Sequence, residues 1–514
     1  MTRSRVRKPK LRPYLAREPL SMRHNPNDCQ KPQQLGLISC YVSQSAVSMY
    51  HKDSLQQDSG SAIFSLKGPN LRISSIKSAV CIALTITIAG SNGRLVIAES
   101  GSTDPNSNVA EVKVGWSEFH GPAGTGFVSE GSLPKNWTDQ EYVWRYPLAA
   151  SDVGSPVIAG GIIYFLTTDR EAKTISLEAV QLATGSPVFK KSFPQSAFHV
   201  HSRNSFASST PAVDDKGIVV AWSDSEHTFL KSFDIDGNEQ WSRDFGTWQS
   251  QHGFGTSPRL FGSMVLLFNS QQADQLRPGE EPGQSRMIAV SRDTGETLWE
   301  TPLETTRTCY GVPAIFVAPD GTTQIIAANT GNGMFGLDSQ DGRMLWNLPV
   351  FSKRCCSTPV LYGNLALAST GSGGGGNELV AVRIPTSDAE KPEEVYRIDR
   401  SAPYVPTLAV KGNQFFMVDD KGIASCREIE TGTPVWTKRL GGNYSASPII
   451  VGDTLLAINL DGIATLMGTG DKFEPLGKVD LGGSVGATPA FSDGYLVLRV
   501  GDEIRCLSNR SESE

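Results

Sequence analysis

Apolar residues along this chain fall in short runs, such as Met264-Val265-Leu266-Leu267-Phe268 and Met287-Ile288-Ala289-Val290, and polar turn residues break them. No helical period of useful length runs between them, so the pattern predicts strands. One unit recurs. Residues 287–299 read as a strand with a small residue at Ala289, a tight turn at Asp293-Thr294-Gly295, and a return strand carrying Trp299, which together make a β-hairpin. Near-copies lie at 179–189 with Thr184-Gly185, 234–241 with Asp236-Gly237, 336–346 with Asp341-Gly342, and 426–436 with Thr431-Gly432. Repetition of this kind predicts an array of units rather than a single irregular sheet.

A second marker keeps phase with the hairpins. A Pro preceded by a small or β-branched residue opens an apolar run at Pro156, Pro211, Pro258, Pro313, Pro359, Pro406, Pro448 and Pro489, at intervals of 41 to 55 residues. That spacing is the length of a four-stranded propeller blade. Because Pro has no backbone N–H, a sheet tolerates it at the first residue of a strand, so each Pro is expected to start a blade. A blade cannot bury both of its faces alone and must stack on its neighbours. Trp144, Trp241, Trp299, Trp346 and Trp436 are the expected packing pieces, each ring able to bury roughly 150–250 Å². The small residues Ala179, Ala289, Gly336 and Cys426, six before the turn glycine, would leave room for a neighbouring ring, and Cys506 holds the same slot in the last unit. Two blades lack the aromatic: blade five offers Val395-Tyr396, and blade seven Leu476. The last unit supplies only three strands, whereas residues 143–148 resemble a Trp-bearing closing strand that precedes the first Pro. The expected fold is therefore all-β: an eight-bladed β-propeller of four-stranded antiparallel blades, its ring closed by the N-terminal strand so that no edge is left open.

The repeat, a small residue, four positions, Thr or Asp, Gly, three positions and an aromatic, resembles the tryptophan-docking motif of the pyrroloquinoline-quinone-like (PQQ-like) propeller family. The resemblance covers about residues 143–509. The family includes quinoprotein alcohol dehydrogenases and the non-enzymatic outer-membrane assembly factor BamB, so the resemblance implies the fold and leaves function to the site. Residues 116–126 and 133–137 are similar to the lead-in of planctomycete-type secreted members, with His120 standing where an Arg is usual. Gly124-x-Gly126 within it is read as a turn, since no strand precedes it and no helix follows.

Composition fits this picture: 514 residues, 39% hydrophobic, with 51 Gly and 30 Pro. The formal charge of −6 gives no electrostatic reason to bind nucleic acid or an anionic membrane. Five segments are expected. Residues 1–70 read as a disordered extension, or as sequence upstream of the true start. Residues 71–99 hold a positive stretch, an apolar core and a small-residue exit, the parts of a secretory signal, the alternative being a buried strand. Residues 100–142 are a lead-in, 143–509 the propeller, and 510–514 a tail. This implies a periplasmic or secreted protein with no transmembrane segment in the mature chain, expected as a monomer.

Candidate chemistry is sparse. Of eight Cys, Cys29, Cys40 and Cys81 precede the expected mature start. Cys309 and Cys355 each lie four residues before a blade Pro, and Cys356 adjoins Cys355. An oxidising compartment would allow a Cys309–Cys355 bridge or a vicinal Cys355–Cys356 bridge, and the vicinal form also resembles a feature of quinoprotein methanol dehydrogenases. Only seven His are present. Segments that precede a first strand cross towards the axis, so His199, His201, Asn204, Ser205, His252, Gly253 and Gly255 are candidates for a common binding mouth; structural hydrogen bonding is the plainer role. His199-x-His201 lacks a third ligand at a diagnostic spacing, so no metal site is expected. The acidic pairs Asp214-Asp215 and Asp419-Asp420 read as turn residues. A quinoprotein would need calcium held by carboxylate and amide oxygens beside PQQ, an Asp base and apolar walls, and no such set can be assigned. The expectation is a non-catalytic exported scaffold for protein or ligand binding, without a cofactor or catalytic residue, with an envelope or outer-membrane protein as partner through the resemblance to BamB. The alternative is a PQQ- and calcium-dependent dehydrogenase of alcohols or sugars.

Overall fold

Eight antiparallel blades of four strands succeed one another along the chain, one of them extended by a short fifth strand that runs parallel. This is a computed structural model, in which residues 115–509 are described, apart from residue 225. The 1–70 extension, the 71–99 signal region, the start of the lead-in and the 510–514 tail lie outside the described residues. Blades 1 to 7 span 157–194, 212–244, 259–302, 314–348, 360–398, 409–439 and 449–480. Blade 8 takes three strands from 490–508 and its fourth from Tyr142–Pro147. First strands neighbour one another around the axis, and each blade then runs outward in chain order, giving an eight-bladed propeller.

Burial explains the sequence pattern. Inner strands are covered on both faces by adjacent blades, so Gly217–Ser223 is buried at every position and reads as a run rather than an alternation. Outer strands bury little beyond the ring they carry, as in Thr297–Pro302, where Trp299 is buried between exposed neighbours. The prolines sit one residue outside the expected place. Seven of them immediately precede the first strand, as Pro156 precedes Val157–Ala159, and Pro406 lies three residues before Ala409–Lys411. Lacking an N–H, Pro marks the boundary of the ladder rather than its first rung.

The docking rings join each blade to the next. The small residue pairs across the hairpin with the ring of its own blade, Ala289 with Trp299 and Cys426 with Trp436. The ring then lies on the turn of the following blade. A Cβ on Gly295 would come within 2.6 Å of the Trp241 ring, and one on Gly342 within 2.4 Å of Trp299. Both glycines have positive φ, 70° and 73°, so only Gly fits the turn and the ring together. The indole N–H groups of Trp144, Trp241, Trp299 and Trp436 donate to the carbonyls of Leu182, Arg292, Ser339 and Gly470. Trp346 instead donates to Oε1 of Gln324 within its own blade, at 2.7 Å. In blade 5 the Tyr396 hydroxyl makes the equivalent bond, to the Ile429 carbonyl at 2.6 Å. In blade 7 the aromatic position is Gly477, paired with Leu466, rather than Leu476. There the lead-in takes over: the Lys135 backbone covers Gly477, and Leu133 and Trp137 join the core between blades 7 and 8.

Ring closure follows from the pairing of Tyr142–Pro147 with Glu503–Ser508, in register from Tyr142 opposite Leu507 to Pro147 opposite Glu503. A buried ion pair seals the seam between blades 8 and 1. Arg499 donates from Nη2 to Asp152 at 3.3 Å and from Nη1 to the Gly154 and Leu166 carbonyls. No helix among the described residues is long and apolar enough to cross a membrane.

Candidate functional site: a cup at the propeller axis

The lead-in forms a floor across the axial channel. On one side the Ile158 and Val213 N–H groups of blades 1 and 2 donate to the Trp116 and Ser117 carbonyls, and Glu118 pairs with Arg259 of blade 3 at 3.0 Å. On the opposite side Val410 and Ile450 of blades 6 and 7 donate to the Thr125 and Gly126 carbonyls, and Phe127–Val128 adds a parallel strand to blade 7. Two glycines allow the crossing. Gly121, at φ 71°, rests on the Trp116 ring, and Gly126, at φ 69°, on His120. His120 is fully buried between the Gly124 and Pro448 carbonyls, at 3.0 and 3.1 Å, and burial lowers its pKa.

Above the floor, the residues before the blade prolines form a girdle. Backbone N–H groups donate to hydroxyls of the next blade: Val312 to Thr358, Thr358 to Thr407, Thr407 to Ser447, Ser447 to Thr488, and Thr488 to Ser155, all at 3.0–3.1 Å. Each hydroxyl satisfies a donor that cannot reach a strand partner. The result is a cavity of about 410 Å³ with Phe119 of the lead-in among its lining residues.

Four of the seven residues expected at a mouth line this cavity, namely His201, Asn204, His252 and Gly255. The His201 and His252 rings stack with centroids 4.7 Å apart. Asn204 clasps the two segments, donating to the His252 and Phe254 carbonyls at 2.7 and 3.0 Å and accepting from the Ser205 N–H and the Ser208 hydroxyl. Ser205 lies behind the wall, its hydroxyl oxygen accepting from the Val153 N–H at 3.1 Å. Gly253, at φ 91°, packs on Val200 and Asn204. Neither these two nor His199 lines the cavity. Burial first, and then the Arg354 charge, pushes the His252 pKa down to about 4; burial and then Arg203 lower that of His201.

Five further wall residues were not picked out from the sequence: Arg203, Arg307, Tyr310, Arg354 and Tyr404. Asp420 is more than a turn residue, because it accepts from the Tyr404 N–H and from Arg203 Nη2, at 2.6 and 2.9 Å. Position within the repeat was the available signal, since Tyr310, Arg354 and Tyr404 all lie in segments entering a blade Pro. The five described cysteines are free thiols. Cys309 and Cys355 are brought together, the Cys355 N–H donating to Cys309 Sγ at 3.3 Å. Cys356 instead lines the cavity, its thiol pushed up to about 12 by burial.

A calcium ion needs six to eight oxygen ligands, carboxylates prominent among them. The cavity lining holds no Asp or Glu, and among the described residues no three His, Cys, Asp or Glu side chains are grouped for a metal. The Asn204 carbonyl oxygen is already taken by two donors. A calcium-assisted quinone site with a carboxylate base does not fit this donor set.

A family model described as outer membrane protein assembly factor BamB matches residues 136–312 and 281–438, together more than half of the chain. BamB of Nitrosomonas eutropha is 22% identical over 236 residues, 44% of this chain and 50% of that protein, so the chain spans half the length of this relative. The crystal structure of BamB from Moraxella catarrhalis aligns with a TM-score of 0.50 at 13% identity, over 73% of this chain and 98% of that one. Quinohemoprotein alcohol dehydrogenase from Comamonas testosteroni aligns with a TM-score of 0.56 at 12% identity, over 80% and 82%. At such identities the structural likenesses show the fold alone. With the docking hairpins, the eight blades and the family match all in hand, the chain belongs to the PQQ-like propeller family whose model is described as outer membrane protein assembly factor BamB.

Proposed function

We propose that this protein is a non-catalytic propeller of the cell envelope, exported by the 71–99 signal, that holds an outer-membrane or other envelope protein, in keeping with the family description as an outer membrane protein assembly factor. The carrying observation is the cavity wall, whose lining residues include no Asp or Glu to serve as a base or as a carboxylate ligand for calcium. The family match supports the same side of the choice. A dehydrogenase must place a cofactor and a base against the substrate, whereas a scaffold needs only a rigid ring and its loops.

The test is to recover the chain from the periplasmic fraction and titrate it with PQQ with and without Ca²⁺. Alcohols and a dye acceptor are then added. The expected result is no dye reduction and no calcium-dependent gain in affinity. Alcohol-dependent dye reduction that needs calcium would establish the dehydrogenase instead, and an unprocessed Met1 in the cytosol would remove the export half of the proposal.

A further inference from the structure

The cup that lacks carboxylate ligands for a cation carries positive charge in excess. Arg203, Arg307 and Arg354 line it, with no Asp or Glu among the lining residues. Arg203 is neutralised by Asp420 from behind. Arg354 is not. Only 5% exposed, it donates from Nε to the Thr308 carbonyl at 2.7 Å and from Nη2 to Oε1 of Gln272 at 3.3 Å, while Nη1 meets Nε2 of His252 at 3.4 Å. Every one of these acceptors is neutral. Arg307 shares the cavity, again without a carboxylate partner among the described residues.

The neighbours cannot make up the missing charge. Burial raises the pKa of Tyr310, Tyr404 and Cys356, keeping all three protonated at neutral pH. His252 adds a donor in search of an acceptor. With Nε2 accepting from Arg354, the ring proton sits on Nδ1, and that buried Nδ1 has no hydrogen-bond partner. A guanidinium withdrawn from water without a counter-charge is costly, and an orphaned N–H beside it adds to the cost. The first of these costs would be removed by an oxyanion in the cup.

We propose that the cup binds a small multivalent oxyanion, a carboxylate or a phosphate, between Arg354 and Arg307. Guanidinium groups suit this class because their forked N–H donors match carboxylate and phosphate oxygens. The volume of about 410 Å³ falls in the ~300–1,000 Å³ range of small-molecule sites. The lead-in floor makes the cavity a closed-bottomed cup, which suits a small molecule rather than a threaded chain. Nothing in this requires a metal or an envelope partner, so it stands or falls apart from the scaffold proposal.

Calorimetric titration of the full chain with citrate, inorganic phosphate and neutral glycerol at low salt is the test. Saturable binding of citrate alone assigns the carboxylate, of phosphate alone the phosphate, and glycerol stays silent. Arg307→Gln, at a half-buried position whose loss leaves the fold intact by its melting curve, is expected to weaken the bound anion about tenfold or more. Arg354→Gln is expected to abolish binding. Failure of both anions to bind at millimolar concentration, or binding equally tight in Arg307→Gln, overturns the site.

Discussion

Trp299 shows how much one side chain can do in this fold. It pairs with Ala289 in its own blade, lies on Gly342 of the next, and donates its indole N–H to the Ser339 carbonyl. Trp299→Ala is expected to cost about 3–5 kcal/mol, read as a lower denaturant midpoint at unchanged slope; a loss below about 1 kcal/mol would show that the ring is not a joint between blades. The role of the ring was legible because the hairpin recurs, and recurrence exposes what stays constant. Gly477 was misplaced for the same reason in reverse: without an aromatic to mark the register, the position slid to Leu476. Arg354 and Asp420 carried no such mark. Their meaning comes from partners 102 and 16 residues away in sequence, His252 and Tyr404, and spacing along one strand cannot show which side chains face one another across the axis.

At the scale of elements, the seam is the distinctive joint. Asp152 accepts from the Thr168 N–H at 2.8 Å and from Arg499, with both side chains of the ion pair almost wholly buried. Burial lowers the Arg499 pKa to about 10, partly offset by Asp152, so it remains charged at neutral pH. Asp152→Ala therefore leaves a cation without its counter-charge in the interior and is expected to cost about 3–5 kcal/mol. Asp152→Ala with Arg499→Met should recover much of that loss, and urea unfolding of the two variants compares them; equal instability would mean that Asp152 acts through its bonds to Thr167 and Thr168 alone. The closing strand was legible because blade 8 is one strand short by count. The path of the lead-in was not. Residues 116–128 cross the channel through backbone bonds to first strands, and such bonds leave no periodic trace in side-chain types.

For the whole molecule, the histidines set an acid limit. His252, His201 and His120 all have folded-state pKa values below the ordinary 6.5. Protons therefore bind the unfolded chain more readily, and stability is lost as pH falls through 6.5, with the His252 share fully lost near pH 4. His227 runs the other way, its pKa raised by Asp244, but it is exposed and its pair is screened by solvent. The melting temperature is expected to drop between pH 6.5 and about 5, above the usual carboxylate range, and His252→Asn to flatten part of that drop; a flat profile in the parent protein would contradict the assignment.

The pairing of residues 142–147 with 503–508 also bears on when folding can finish. A ribosome delivers the first of these strands long before the second, and closing so long a loop is entropically slow. Until the last strand emerges, the partly built ring keeps two raw edges open to other chains. Completion of the fold therefore waits on the delivery of residues 503–508, so the ring is sealed by the strand of the described residues that is made last.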